Sequence, residues 1–330
     1  MKNTLISLIV PVYNVEKYVE KRLRSLIAQT YEPIEIIIVS DGSQDGSDLI
    51  CQRYAERYPQ IRYFRTENHG VSAARNFGLS KARGECCMLV DSDDHLEADT
   101  VQRMMDVMEK EQADIVQCAY RMEIGHLPFY RKAAGYEVMT PKKALHALMK
   151  NVQVNNYPWG KLYRTSLFRD VCFPTQLSVF EDVCTIFQLF MKAERIVTMP
   201  QRFYHYVQRR GSFMNKNGVL RMDMDTLVRM RDAFEYQEQA LRAAYPEEDY
   251  SNHQNYFCVD MLILYMMIFF IRRREIGKYT LPYLDLSEQP LSCRIAYRFC
   301  RGAARLKFGG RLTEEEPSKE LRAKQESAVS

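Results

Sequence analysis

The chain has 330 residues, 46% of them hydrophobic and 27% charged, with a net charge of +4 and only 14 glycines and 12 prolines. This balance is that of a globular protein, with enough chain for one large domain or two ordinary ones, and it excludes a disordered, collagen-like or coiled-coil molecule. The small net charge argues against bulk nucleic-acid binding. The nine cysteines, odd in number and without a C-x-x-C pair, read as free thiols in a reducing cytosol.

Met1-Lys2-Asn3-Thr4 runs directly into a strand-like segment, so no secretory signal is expected. Leu5–Val12 is a short apolar run with the length of a buried strand. Val15, Val19, Leu23, Leu26 and Ile27 then recur at helical spacing within residues 15–29. Ile34–Val39 is β-branched and apolar, as a strand covered on both faces should be. Asp45 or Ser47 can cap a helix to about Arg57, and Ile61–Arg65 is a strand. Val71–Ala82 reads as a helix through Val71, Ala74, Phe77 and Gly78. Cys86–Val90 is a strand in which Cys86 and Cys87 are small core residues. Asp99 and Gln102 have the spacing of a capping box before a helix to about Glu111, and Ala113–Tyr120 returns as a strand.

Beyond residue 120 the periodicity loosens. Pro141–Asn151 is helical, Trp159–Tyr163 is a strand or turn, and an apolar helix opens at Glu181-Asp182 and runs to about Ala193. Ile196–Met199 and Phe203–Val207 read as strands around a turn at Pro200. Helical patterns cover about 219–244, 252–274 and 290–308. The longest nearly uncharged apolar stretch, Met261–Ile271, is well short of the roughly 20 residues of a membrane span. The expected division is an α/β domain over 1–215, a helical region over 216–312 and a disordered tail over 313–330. Alternating strands and helices imply a mostly parallel sheet with helices on both faces, whose ligands bind beyond the carboxyl ends of the strands.

Three candidate groups fall at those ends. Asp91-Ser92-Asp93-Asp94 closes an apolar strand, and three carboxylates in four residues repel unless a cation or hydrogen bonds compensate. Asp91 and Asp93 can hold Mn2+ or Mg2+ together with phosphate oxygens; the plain alternative is a turn with a helix-capping Asp. Asp41 closes the second strand, either as an Asx turn before Gly42 or as an acceptor for a base imino N–H. Tyr13, two residues after Pro11, is either a sheet-edge aromatic or a ring to stack on a nucleobase. No G-x-G-x-x-G or Walker A sequence follows the first strand, which disfavours a dinucleotide oxidoreductase or a P-loop enzyme.

Taken in order, Ile9-Val10-Pro11-Val12-Tyr13-Asn14, Val39-Ser40-Asp41-Gly42-Ser43, Gly70-Val71-Ser72-Ala73-Ala74-Arg75-Asn76 and Val90-Asp91-Ser92-Asp93-Asp94 resemble the signature of family 2 glycosyltransferases of the bacterial glycan-biosynthesis type. The resemblance covers about residues 4–210. It implies a GT-A fold, Rossmann-like, with a C-terminal helical extension. It also implies metal-dependent, inverting transfer from a nucleoside diphosphate sugar, a UDP sugar first, to a glycan or lipid-linked hydroxyl in the cytoplasm or at the inner face of the membrane. Pro11, Tyr13 and Asp41 are thereby implied in nucleotide binding, with Arg75 near the nucleotide. Asp91 is implied at the ribose or metal and Asp93 at metal and diphosphate, while Asp94 either shares the metal or faces the sugar.

Trp159-Gly160-Lys161-Leu162-Tyr163-Arg164 and Glu181-Asp182 resemble the acceptor half of the same family, with Asp182 as candidate general base. An inverting transfer needs such a carboxylate to take the hydroxyl proton, whereas the plain reading is favourable charge on a helix N-terminus. Tyr204-His205-Tyr206 and Arg209-Arg210-Gly211-Ser212 resemble the segment that closes over the donor. There Arg210 or Arg209 can neutralise the diphosphate and Ser212 can bond it, with a solvated turn as the alternative. His205 is either a third metal ligand or structural, and Trp159 either a sugar platform or core.

Two other functions fit less well. A sugar-phosphate nucleotidyltransferase would want a Gly-rich basic loop where Pro11–Glu16 stands, and a nucleotide-sugar-binding protein without activity is opposed by intact Asp91, Asp93 and Asp182. Residues 201–312 carry 18 basic against 12 acidic side chains. Within them, 290–312 holds Arg294, Arg298, Arg301, Arg305, Lys307 and Arg311 and no acid. The four arginines from Arg294 to Arg305 recur on one helical face beside Ile295, Phe299, Gly302 and Leu306, a pattern for an anionic membrane surface or for packing on the α/β domain.

Overall fold

Every side chain of the first strand, β1 (Ile6–Val12), is buried, which requires a sheet covered on both faces. The computed structural model describes residues 4–124, 127–129, 135–150, 153–177, 179–208, 223–250, 253–272, 275–281 and 291–314. They belong to two units, Met1–Lys216 and Asn217–Ser330.

In the first unit, β2 (Ile34–Asp41) and β4 (Cys86–Leu89) flank β1 in parallel, and β3 (Ile61–Thr66) runs parallel to β2. The crossovers are α1 (Glu16–Ile27), α2 (Ser47–Arg57) and α3 (Val71–Lys81). Register sets Ile9 opposite Leu89, Val12 opposite Ser40 and Asp41 opposite Thr66, so these strands finish along one rim. Leu8, Val10, Ile36 and Ile38 pack on one face with Val19, Leu23 and Leu26, while Ile37 and Val39 pack on the other with Ala74. Cys86 and Cys87 are buried, as expected of small core residues. Gly78 is a glycine for a steric reason: a Cβ there would lie 2.5 Å from Ile9 Cγ2.

The sheet then becomes mixed. Its main order is β3-β2-β1-β4-β9-β6-β10-β5, where β5 is His95–Leu96, β6 Ile115–Ile124, β9 Lys161–Arg164 and β10 Ile196–Gln208. β9 lies antiparallel between β4 and β6, β10 is parallel to β6, and β5 pairs antiparallel with the later part of β10. The short strands β7 (Leu127–Phe129) and β8 (Glu137–Met139) pair with β6 and β10. Helices α4 (Thr100–Glu111), α5 (Pro141–Met149) and α6 (Glu181–Lys192) complete the unit.

Three local expectations change. The strands expected on either side of Pro200 are one strand, whose register slips on both sides of Arg202 and so accommodates a proline that has no N–H for the ladder. The Asp99–Gln102 capping box does not form: Asp99 pairs with Arg103 at 3.0 Å and Gln102 donates to Asp106 at 2.7 Å, both one turn ahead. The first turn of α4 is served by Gln29 Oε1, which accepts from Val101 N. Asp45 and Ser47 cap two helices: Asp45 Oδ1 accepts from Ser47 N, while Asp45 Oδ2 and Ser47 Oγ accept from Glu16 N and Val15 N.

The second unit contains α7 (Met224–Ala244), α8 (His253–Phe269) and α9 (Leu291–Phe308), with α8 packed on both others. Asp223 caps α7 by accepting from Thr226 N at 2.7 Å. Arg301, expected beside Arg298 on an outer basic face, is instead buried with Tyr297, because a helix packed on α8 must turn its 297–301–304–308 stripe inward. Of the expected tail, Thr313 and Glu314 pair with Thr280 and Leu281, and residues 315–330 lie outside the described residues.

Gly78→Ala should destabilise the first unit. Overpacking against Ile9 costs about 1–3 kcal/mol and outweighs the gain of about 1 kcal/mol in helix propensity. Trp159, the only tryptophan, reports this unit in urea unfolding by fluorescence. A midpoint equal to or above that of the parent would show that Ile9 yields freely.

Candidate active site

The rim formed by the strand ends gathers most of the expected site residues. Pro11 is buried in β1, beyond the Ile9–Leu89 end of the β1–β4 ladder, so it has a strand partner on one side only. Tyr13 follows β1 and is 43% exposed, a ring presented to solvent. Its neighbour Asn14 has φ 49° and accepts from Gln44 N at 2.8 Å, tying the loop after β1 to the loop after β2. Asp41 is buried at the end of β2, where Oδ1 accepts from His69 N (2.8 Å) and Oδ2 from Gly70 N (2.9 Å). It therefore anchors the entry to α3.

Arg75 of α3 is the hub. Its Nη1 donates to Glu181 Oε1 at 2.7 Å and its Nη2 to Asp91 Oδ1 at 3.1 Å, and its guanidinium lies 5.4 Å from the Phe173 ring centroid. The next residue, Asn76, clamps Phe173 by both its N–H and its carbonyl, at 2.9 and 2.8 Å. Arg75 is thus committed to two carboxylates that lie 16 and 106 positions away in sequence. Asn76 and Phe173 were not singled out by sequence reasoning. The Arg-Asn dipeptide at the end of the third motif was the available signal.

The carboxylates of the Asp91–Asp94 segment have separate environments. Asp94 is fully buried, accepts from Tyr204 Oη and Val207 N at 2.7 Å each, and is pushed well above the usual range by burial and then by Asp93 and Asp91. It pins the segment to β10, and Tyr204 Oη also receives the Asp91 N–H at 3.3 Å. Asp91 is half-buried and raised by burial, with Arg75 opposing and Asp93 adding to the rise. Arg75 occupies Oδ1 of Asp91 and leaves Oδ2 available to a ligand. Asp91 and the half-buried Asp93 could offer carboxylate oxygens to a hard ion such as Mg2+ or Mn2+.

Asp182 enters α6 after Phe180, whose φ of 61° is a left-handed conformation unusual for a bulky residue. Asp182 Oδ1 accepts from Val183 N at 2.8 Å. Burial and then Glu181 push its carboxyl up to about 7, with Arg75 among the opposing influences. A carboxyl at that value can take a proton near neutrality. Lys161 of β9 is fully buried, donates to Asn155 Oδ1 (2.8 Å) and Tyr157 O (2.5 Å), and is held down to about 7 by burial.

Trp159 resolves as core. It is buried and stacked between Tyr157 and Tyr204, 4.5 Å from each, with Tyr206 at 5.2 Å. His205 is buried within its own network: Nε2 is 2.7 Å from Glu97 Oε1, while Nδ1 receives Arg121 Nη2 at 2.7 Å and lies 2.9 Å from Glu123. His95 lies against it with ring centroids 4.1 Å apart and planes tilted by 32°, receives Arg22 at 3.1 Å, and is lowered to about 4 by burial, His205 and Arg22. His95, Glu123 and His205 bring one ligand atom each within 4.8 Å of one another, yet two guanidiniums already address the imidazole lone pairs. Arg209, Arg210 and Ser212 lie outside the described residues.

A family model described as "Glycosyl transferase family 2" matches residues 7–172. Glycosyltransferase GlyA of Streptococcus pneumoniae serotype 4 is 36% identical over 216 residues, which is 63% of this chain and 31% of GlyA. The chain therefore spans less than a third of that relative's length. Poly(ribitol-phosphate) beta-N-acetylglucosaminyltransferase TarS of Staphylococcus aureus is 26% identical over 233 residues, 68% of this chain and 39% of TarS. The solved structure of S. aureus TarS 1–349 in complex with UDP-GlcNAc matches with a TM-score of 0.59 at 20% identity, over 93% of this chain and 82% of that one. Mannosyltransferase PcManGT from Pyrobaculum calidifontis, in complex with GDP-Man and Mn2+, matches with a TM-score of 0.53 at 17% identity, over 93% and 87%. At these identities the structural likeness is one of fold.

Arg75→Met should leave Asp91 and Glu181 as uncompensated carboxylates and lower the stability of the first unit by about 3–5 kcal/mol. Arg75→Lys should recover only part, because one ammonium does not span two carboxylates as a guanidinium fork does. Trp159 fluorescence in urea measures both. A parent-like midpoint for Arg75→Met would remove the bridge from the account.

Proposed function

The chain belongs to glycosyl transferase family 2 and has the GT-A fold with a helical C-terminal extension, and on that premise we propose that it transfers a sugar from a nucleoside diphosphate donor, a UDP sugar first, to an acceptor hydroxyl with inversion at the anomeric carbon. The observation that carries this reading is the Arg75 bridge, which joins Asp91 on the donor side to Glu181 beside Asp182. One guanidinium fixes the distance between the carboxylates that meet the leaving group and the carboxylate that meets the nucleophile.

Tyr13 stacks on the base and Asp41 accepts its imino proton. Asp91 and Asp93 hold Mn2+ or Mg2+, which when bound supplies charge neutralisation for the diphosphate. Asp182 takes the proton from the acceptor hydroxyl as its oxygen forms the new bond to the anomeric carbon. The old glycosidic bond breaks with its electron pair leaving on the diphosphate, so one carboxylate base completes a single displacement. Asp94 and Trp159 act as supports. The acceptor is a glycan or lipid-linked hydroxyl in cell-surface polysaccharide synthesis. The described cysteines are all free, which suits work in a reducing cytosol.

The test is transfer or donor hydrolysis over a panel of nucleotide sugars, with Mn2+ and with chelator. Asp182→Asn should keep UDP affinity and lose on the order of 10²–10⁴ in turnover. Because the Asp182 carboxyl is pushed up to about 7 and must be ionised to act, kcat/KM should climb with pH through that region and level off above it. A profile flat from pH 5 to 8, or near-parental turnover in Asp182→Asn, would move the base elsewhere. Asp93→Ala should remove the difference in UDP affinity between Mn2+ and chelator. If calorimetry finds that difference intact, Asp93 holds no ion.

A further inference from the structure

Among the described residues, helix α9 buries one face and exposes side chains on the opposite one. Tyr297, Arg301, Ala304 and Phe308 are the buried set. Near its end, Lys307 Nζ donates to the carbonyls of Met267, Ile268 and Ile271 at 3.2, 2.7 and 2.8 Å, fastening α9 to the C-terminus of α8. The outward stripe consists of Ile295, Phe299 and Leu306, which are 60%, 76% and 86% exposed. At helical spacing, Arg294, Arg298 and Arg305 run along one flank of this stripe and the small Ala296 and Ala303 along the other. Leu291–Phe308 contains no acidic residue. Beside the Lys307 anchor stand Phe269 and Phe270, 65% and 59% exposed, followed by the exposed Arg272.

Three large apolar side chains in water beside an arginine flank, with two more at the end of α8 where α9 is fastened, suit an apolar phase with an anionic boundary. Among the described residues no helix is long and apolar enough to cross a membrane, so the face would lie along a bilayer instead of spanning it. A second copy of this chain fits less well: an antiparallel isologous contact would set the arginine flank against itself, and Leu291–Phe308 offers no acidic residue to pair with it in any orientation.

We propose that α9 and the end of α8 form a docking face for an anionic lipid bilayer. Phe299, Leu306, Ile295 and the Phe269-Phe270 pair enter the boundary between headgroups and acyl chains, and Arg294, Arg298 and Arg305 meet lipid phosphates. The inference stands on the helical unit alone and does not depend on the transfer chemistry.

The experiment is sedimentation of the full chain with sucrose-loaded vesicles, either of phosphatidylglycerol and phosphatidylcholine in equal parts or of phosphatidylcholine only, at low and high salt. The parent should sediment with the anionic vesicles and be released in part by salt. Phe299→Ser with Leu306→Ser, both at exposed positions, should lower the partition coefficient at least about tenfold. Arg298→Gln with Arg305→Gln should abolish the preference for anionic vesicles. Circular dichroism of the helical signal confirms that each variant is folded. A parent that stays in the supernatant at low salt overturns the proposal, and so does a serine pair that sediments like the parent. Self-association of the parent that is lost in the serine pair, without vesicle binding, would assign the face to a second copy.

Discussion

A guanidinium withdrawn from water needs anionic partners, and Arg75 finds them in two different halves of the sheet. Asp91 belongs to the loop after β4, and Glu181 opens α6 far along the chain. Burial and neighbouring acids disfavour the charge of Asp91, and Arg75 opposes them. The bridge compensates both at once, and Asn76 adds a two-point clamp to Phe173 from the same turn of α3. The site therefore depends less on any one loop than on how α3 docks the two halves. That docking in turn depends on Gly78 allowing α3 to approach β1.

The bridge also sorts the acids by role. Arg75 takes Asp91 and Glu181, and Tyr204 with the Val207 N–H takes Asp94. Asp182 Oδ1 accepts from Val183 N at 2.8 Å, and burial with Glu181 pushes its carboxyl up to about 7. Acids crowded in this way oppose one another's ionisation, and Arg75 offsets only the two it touches. The Trp159 stack and the buried Lys161 tie the start of β9 to the loop before it and to Tyr204 of β10.

Much of this was legible in the sequence because it is local. Apolar runs alternating with helical periodicity marked the strands and crossovers from β1 to α4, and the carboxylates at strand ends marked the rim. What escaped was long-range. Spacing alone does not reveal that Arg75 meets Glu181, because the pair is made by tertiary packing across 106 positions. Nor does it show that Asp94, of two adjacent acids, is the one pinned by Tyr204 Oη of β10 at 2.7 Å. Trp159 was left open between platform and core, and only its stacking on Tyr157 and Tyr204 decides for core. Pro200 looked like a turn because its lost N–H is a breaker signal, but an irregular register absorbs it. Helical spacing grouped Arg301 with the outer arginines, and the packing of α8 turned it inward.

The central claim is that Arg75 couples the two halves energetically as well as geometrically. A double-mutant cycle on Arg75→Met and Glu181→Gln, read by Trp159 fluorescence in urea, isolates that coupling. The account predicts a coupling energy of at least about 1.5 kcal/mol, with Glu181→Gln costing much less once Arg75 is gone, because a buried charge no longer loses its partner. Additive effects, with the double variant equal to the sum of the singles, would contradict it.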